Sequence, residues 1–330
     1  MRGSLLPYGT AAMTATPLIV ISHAEVLRLV DPARMIEALA DGFKALSSGK
    51  VQTPPRPMVS IPDGNFGMSM LAWMPGSPIT VKNVNVFHDN HTRSLESHQA
   101  LISLFDGGTG VPLAVLDGAS LTGLRTAACA VLSVRECART DARVATVVGA
   151  GVQGRDHARL LHLARRFDEI RIFARNPELA ARAAKGVPGA RVVTDLEAAV
   201  RSSDVVCLTT SSATAVIRTD WIGPGTHVAS VGYAPPGSEL PLDLIAKSCV
   251  IVEAKSAFQP APVGCAELSG RDASGAAELG EVLLGLKPGR TSAAEITLYK
   301  SMGNAMEDMV VANLAYDEAV RTGAGQRVSI

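Results

Sequence analysis

Much is missing from this 330-residue chain, and each absence narrows what it can do. No apolar run approaches the roughly 20 residues a membrane helix needs, so no membrane partner is expected. Its 31 basic and 31 acidic residues cancel, leaving no overall field to draw it to nucleic acid or to an anionic bilayer. The five cysteines are odd in number, widely spaced and never form CxxC, which points to buried thiols in a reducing cytoplasm. No GxxxxGK(S/T), HExxH or GxSxG occurs, nor any zinc-type Cys/His spacing, so kinase, hydrolase and metal readings lose their usual support. Residues 1–16 are small and polar and lack the apolar stretch of a signal peptide. They read as a mobile tail, with Met13 an alternative start.

What remains is 47% hydrophobic and only 4% aromatic, as suits an α/β enzyme, and it is organised around one stretch. A β-branched run from Val144 to Val148 meets Gly149, Gly151 and Gly154, after which the spacing turns helical through His157, Leu160 and Leu161. In such a strand–turn–helix the first glycine permits the turn, the second lets backbone approach a pyrophosphate, and the third lets the helix pack on the strand. The free N–H groups of the helix start, here at Val152 and Gln153, then face the phosphates. A second apolar run, Ile170 to Phe173, follows at the distance a βαβ unit requires. Its end reads Ala174-Arg175-Asn176, with no acid for a free ribose hydroxyl but an arginine suited to a 2′-phosphate. NADPH is therefore the preferred cofactor, with NADH also usable; the competing reading makes Arg175 an ordinary surface residue.

Before this unit, a short strand from Pro17 to Ile21 leads into Ser22-His-Ala-Glu25, which has capping-box spacing, and Asp31-Pro32 opens a second helix. From Val51 to Leu116 short strands alternate with turns, as in an antiparallel sheet, and Asp106 to Gly110 reads as a hairpin turn. A helix from about Ser120 to Arg139 follows. After the glycine loop the βα alternation continues to Glu253, which predicts a mainly parallel, doubly wound sheet. Asn304 to Val320 reads as a last helix.

Three cations of the front portion sit among apolar or small neighbours. Arg56 lies between prolines, Lys82 within Ile79-Thr-Val-Lys-Asn-Val, and Arg125 within Leu121-Thr-Gly-Leu-Arg-Thr-Ala-Ala128. Burying an unpaired charge is costly, so each needs an anion. A small carboxylate substrate would serve, and so would internal Asp or Glu partners.

The combination of Pro55-Arg56, Met74-Pro75-Gly76, Val81-Lys82, Asp117 to Ala128, Val147 to Gln153, Gly225-Thr-His-Val-Ala-Ser-Val-Gly232, Glu239-Leu240 and Glu295 to Gly303 resembles the ornithine cyclodeaminase/mu-crystallin family. The resemblance implies a Rossmann domain at 123–304 and an α+β substrate-binding and dimerisation domain at 17–122 with 305–330, in a homodimer. It implies that Arg56, Lys82 and Arg125 hold the substrate carboxylate. Gly149, Gly151, Val152, Gln153, Arg175, Asn176, Thr126, Thr210 and Val231 would line the cofactor, with Ser301 and Gly303 near the nicotinamide. His88, Asp117, Thr122 and Asp308 are expected in relay, capping or structural roles, and Cys265 and Met302 in packing.

Departures from the family pattern direct the choice of reaction. Its cyclodeaminases carry an Asp after the glycine ending the GTHxxxxG segment, where this chain has Tyr233, and a Glu in the strand before Met-Pro, where Phe66 to Trp73 holds no carboxylate. A tyrosine with pKa near 10 is a poor substitute for that acid. A carboxylate clamp beside a hydride carrier instead suits reduction of a cyclic ketimine, Δ1-pyrroline-2-carboxylate or Δ1-piperideine-2-carboxylate, to proline or pipecolate. The alternatives are an alanine dehydrogenase, a cyclodeaminase with a relocated acid, or a crystallin-like protein that binds NADPH with little turnover.

Overall fold

The computed structural model describes residues 17–329, without the side chain of His91. The expected 1–16 tail lies outside the described residues. Two sheets organise the chain, and they are built from different patterns of burial.

The first sheet begins with β1 (Leu18–Ile21), followed by α1 (His23–Leu29) and α2 (Pro32–Ser47). The local signals are realised: Ser22 and Glu25 form the capping box, and Asp31 accepts the Arg34 N–H at 2.8 Å. Then come β2 (Met58–Ser60), β3 (Phe66–Ala72), β4 (Ile79–Val86), β5 (His98–Phe105) and β6 (Pro112–Asp117), an antiparallel meander. Strand β4 alternates between half-buried or exposed residues and the buried Thr80, Lys82, Val84 and Val86, so Lys82 points to the inner face. The sheet is mixed rather than purely antiparallel, because β1 pairs in parallel with β6.

Helix α3 (Gly118–Cys137) connects the two halves and is buried along nearly its whole length. Its small residues permit this. A Cβ on Gly118 would lie 2.8 Å from Ala100 Cβ, and one on Gly123 2.8 Å from an Asp156 carboxylate oxygen. Arg125 is therefore carried on an element that touches both sheets.

The second sheet follows as β7 (Val144–Val148), α4 (Val152–Leu160), β8 (Glu169–Phe173), α5 (Pro177–Ala184), β9 (Ala190–Val192), α6 (Leu196–Arg201), β10 (Val205–Leu208), β11 (His227–Ser230), α7 (Leu242–Ala246), β12 (Cys249–Val252), β13 (Ala277–Glu278), α8 (Leu279–Leu283) and β14 (Thr297–Lys300). All its pairings are parallel, in the order β13-β12-β14-β11-β10-β7-β8-β9. The order reverses between β7 and β10, and a ligand of such a sheet binds outside the carboxyl ends of the strands at that point. Finally α9 (Ala305–Thr322) packs back onto β3, β4 and β5, and β15 (Gln326–Val328) pairs with β1.

Helix α8 rides so closely on α2 that a Cβ on Gly280 would stand 2.0 Å from the Phe43 carbonyl oxygen. Gly280→Ala must push the two helices apart and is expected to cost about 1–3 kcal/mol. A urea-unfolding midpoint indistinguishable from that of the unmodified protein would refute this.

Candidate active site

The loop after β7 has the geometry of a phosphate cradle. Gly149 sits at φ 111°, where other residues are strained, and its missing Cβ would lie 2.6 Å from Thr209 Oγ1. At Gly154 a Cβ would strike the Gly149 carbonyl oxygen at 2.1 Å, whereas at Gly151 it would meet nothing within 4 Å. The first and third glycines thus pack the turn, and the second leaves an open approach. Gly151 caps α4 without a side-chain hydrogen bond, no acid stands in the first turn, and the buried Gln153 Oε1 lacks a partner. These features fit a dinucleotide pyrophosphate at a helix N-terminus. Arg175 is exposed just beyond β8, while the Asn176 side chain caps α5 by accepting the Glu178 N–H at 2.9 Å.

The rim of the crevice is held by buried carboxylates. Glu239 accepts hydrogen bonds from the Thr210 N–H (2.7 Å), the Thr210 hydroxyl (2.8 Å), the Ser230 hydroxyl (3.0 Å) and the Gly232 N–H (2.7 Å). The buried Lys300 ammonium donates to the Gly232 carbonyl at 2.6 Å and pairs with Glu267 at 3.3 Å. Glu253 accepts from the Ser301 hydroxyl and from the Gly303 N–H at 3.0 Å. Thr210, Gly232, Ser301 and Gly303 are therefore fixed through backbone or hydroxyl contacts, with Val231 beside them donating its N–H to the Leu208 carbonyl. Thr126 is buried on α3, one residue past Arg125.

Of the three cations, two close on internal acids. Asp308 Oδ1 takes both Lys82 Nζ and Arg125 Nε at 3.1 Å, and Arg125 Nη1 donates to Glu307 at 2.5 Å. All four side chains are almost wholly buried. Burial, reinforced by the neighbouring Arg125 charge, lowers the Lys82 pKa to about 8 despite Asp308. Arg125 stays charged, its two carboxylates outweighing desolvation. Burial, followed by the nearby Glu253 charge, pushes the Glu307 pKa well above the usual carboxylate range.

Arg56 differs from both. Only half-buried, it spends Nη2 on the carbonyls of Gly303 (3.1 Å) and Val263 (3.3 Å), with no carboxylate within ion-pair distance among the described residues, although the Glu253 charge acts on it. Gly303, at φ 88°, lies between it and Arg125: a Cβ there would stand 2.7 Å from Arg125 Nη1 and Nη2. Of the two readings the sequence left open for these cations, the internal-acid one describes Lys82 and Arg125 but not Arg56. Internal acids neutralise Lys82 and Arg125, leaving Arg56 and the second η nitrogen of Arg125 on either side of Gly303.

The profile of the ornithine cyclodeaminase/mu-crystallin family matches residues 18–323. The chain belongs to this family. It is 32% identical over 286 residues to the ketimine reductase mu-crystallin of Mus musculus, covering 86% of this chain and 90% of that one. The structure of Thermococcus litoralis Δ1-pyrroline-2-carboxylate reductase with NADH and L-proline superposes with a TM-score of 0.89 at 29% identity, covering 94% of this chain and all of that one (100%). An archaeal alanine dehydrogenase dimer with bound NAD gives 0.84 at 27% identity, covering 95% and 99%.

Within this family member, the other residues singled out from the sequence take structural places. Asp117 caps α3 by accepting the Ser120 N–H, and Thr122 donates to the Gly118 carbonyl. Cys265 is buried, Met302 packs against the second core, and His88 lies exposed in the turn after β4. Sequence reasoning gave no structural role to Glu239, Glu253, Glu307 or Lys300. The available signal was a charged residue ending an apolar strand, as Glu253 and Lys300 both do. A cavity of about 670 Å³ lined by Lys247, Cys249, Thr291 and Ile296 lies at the amino ends of β12 and β14, away from these groups. Among the described residues no metal-binding cluster is present and no helix is long and apolar enough to cross a membrane.

Asp308→Asn removes the carboxylate charge on which both buried cations close. A loss of about 3–5 kcal/mol in unfolding free energy is expected at neutral pH; a change below about 1 kcal/mol would show that the pairing does not hold the site together.

Proposed function

We propose that this protein reduces a cyclic ketimine carboxylate, Δ1-pyrroline-2-carboxylate or its six-membered homologue, with a reduced nicotinamide cofactor. The observation that carries this reading is the pair of guanidinium groups across Gly303, beside the carboxyl ends of the central strands. Free arginine donors at that point suit the carboxylate of an α-imino acid. No carboxylate stands at position 233 or along β3 to serve a deamination. Relatives named as ketimine and pyrroline-carboxylate reductases support the same chemistry.

Gly149, Gly151, Val152 and Gln153 would hold the pyrophosphate, and Ser301 with Gly303 would lie near the nicotinamide. When bound, the cofactor supplies the hydride. Arg56 and Arg125 orient the substrate carboxylate so that the imine carbon lies at near-attack distance. Lys82, joined to Arg125 through Asp308, sets a positive charge behind that group. The rim carboxylates keep the strand ends fixed, so little rearrangement is needed when substrate enters. A protonated iminium is already electrophilic, which fits a site whose buried acids Asp308 and Glu307 are engaged by Lys82 and Arg125.

In this reading residues 17–122 with 305–330 bind substrate and form a homodimer, and 123–304 bind the dinucleotide. Exposed Val59, Leu71 and Leu101 on the outer face of the first sheet support pairing of two copies. Free cysteines support a cytoplasmic setting, and Arg175 without a nearby strand-end acid supports NADPH over NADH.

Loss of nicotinamide absorbance with the cyclic imine alone tests the reaction. Turnover only with pyruvate and ammonia would favour an alanine dehydrogenase, and ammonia release from ornithine a cyclodeaminase. Because Lys82 loses its proton near pH 8, its contribution is present below that pH and lost above it. Accordingly kcat/KM should fall as pH rises through about 8, and Lys82→Met should remove that limb. Arg175→Asp should lower NADPH preference about tenfold or more; an unchanged ratio of NADPH to NADH efficiency would refute the cofactor assignment.

A further inference from the structure

Tyr233 is a residue the proposed reaction does not use, yet its surroundings are well defined. It follows Gly232, whose N–H is held by Glu239 at 2.7 Å and whose carbonyl is held by Lys300 at 2.6 Å. The backbone entering Tyr233 is thus anchored from both sides. From there the half-buried ring reaches across to the first sheet and meets Phe66 edge-on, with centroids 6.3 Å apart and planes at 78°.

Phe66 stands on the same face of the sheet as Lys82. It pairs with Val86, while Met70, four residues along β3, pairs with Lys82. At about 3.3 Å per residue, Phe66 lies about 13 Å along the strand from the Lys82 position. The Tyr233 hydroxyl also feels the Arg56 charge, which opposes the rise in its pKa caused by burial. One wall of the crevice is therefore cationic, and Tyr233 and Phe66 close it with an aromatic contact joining the two sheets.

We infer that the Tyr233–Phe66 pair forms the specificity wall of the site, against which the carbon skeleton of the imino acid packs while Arg56 and Arg125 hold its carboxylate. Resting on the reductase reading above, this identifies the substrate class as compact, apolar-bodied imino acids and gives ring size a structural determinant. The edge-on aromatic pair resists displacement better than either ring alone, so it limits the room beyond the imine carbon. A second charged group on the substrate would have to be buried against these rings without a partner, which disfavours it.

The test measures kcat and KM for the five-membered and six-membered cyclic imines with the full-length protein, Tyr233→Ala, Phe66→Ala, the double variant and Tyr233→Phe. Thermal unfolding checks that each variant is folded. Tyr233→Ala should raise KM for the five-membered imine about tenfold with kcat within about twofold, and should shift kcat/KM about fivefold or more toward the six-membered imine. Phe66→Ala should shift it in the same direction, and the double variant little further, because the rings act as a unit. Tyr233→Phe, which keeps the ring, should leave the ring-size ratio of kcat/KM unchanged within about twofold. An unchanged ring-size ratio in folded Tyr233→Ala would overturn the proposal, as would a tenfold fall in kcat for Tyr233→Phe, which would make the hydroxyl a chemical participant. Failure of the reductase reading would appear separately, as an unmodified protein that reduces neither imine.

Discussion

Two positive charges in a dry interior set the terms for this structure. Lys82 comes from β4 and Arg125 from α3, and neither is tolerable there without a counter-charge. Both find their carboxyl partners on the first turn of α9, where Asp308 pairs with each of them and Glu307 accepts from Arg125. The helix must therefore start where it does, capped by Asn304, with its buried face on β3, β4 and β5. That placement sets the preceding Gly303 between Arg56 and Arg125. Charge neutralisation in the core and assembly of the crevice are thus one requirement.

The same device recurs along the rim. Glu239 gathers the ends of β10 and β11, and Glu253 gathers the segment after β14. Each carboxylate serves several N–H or hydroxyl donors, so its burial is compensated by charge-assisted hydrogen bonds. The result is a crevice whose polar groups are already oriented, which is the condition for holding a small ligand and a dinucleotide at a fixed separation.

What was legible in the sequence was mostly local. Ser22 with Glu25, Asp31 with Pro32, and the three glycines after β7 announce their geometry within a few residues, and all adopt it. The apolar flanks of Lys82 and Arg125 correctly implied burial. Their partners could not be read, because Lys82 and Asp308 are 226 residues apart and only the fold brings them together. Strand order was hidden for the same reason: Thr297–Lys300 enters the sheet between β11 and β12, although β12 precedes it in the chain. Glu239 stood out in the sequence only as part of the family resemblance, and its role as a loop carboxylate shows only when two strand ends converge on it.

The return of α9 has a consequence for biosynthesis. Asp308 emerges from the ribosome 183 residues after Arg125 and 226 after Lys82. At about 5–20 residues per second, translation leaves these cations without their carboxylates for on the order of ten seconds or more. The parallel sheet, whose strands lie between Val144 and Lys300, is complete in sequence before α9 exists. The parallel-sheet half therefore has all its strands before the last helix is made, whereas the cationic side of the cleft is finished only as that helix docks.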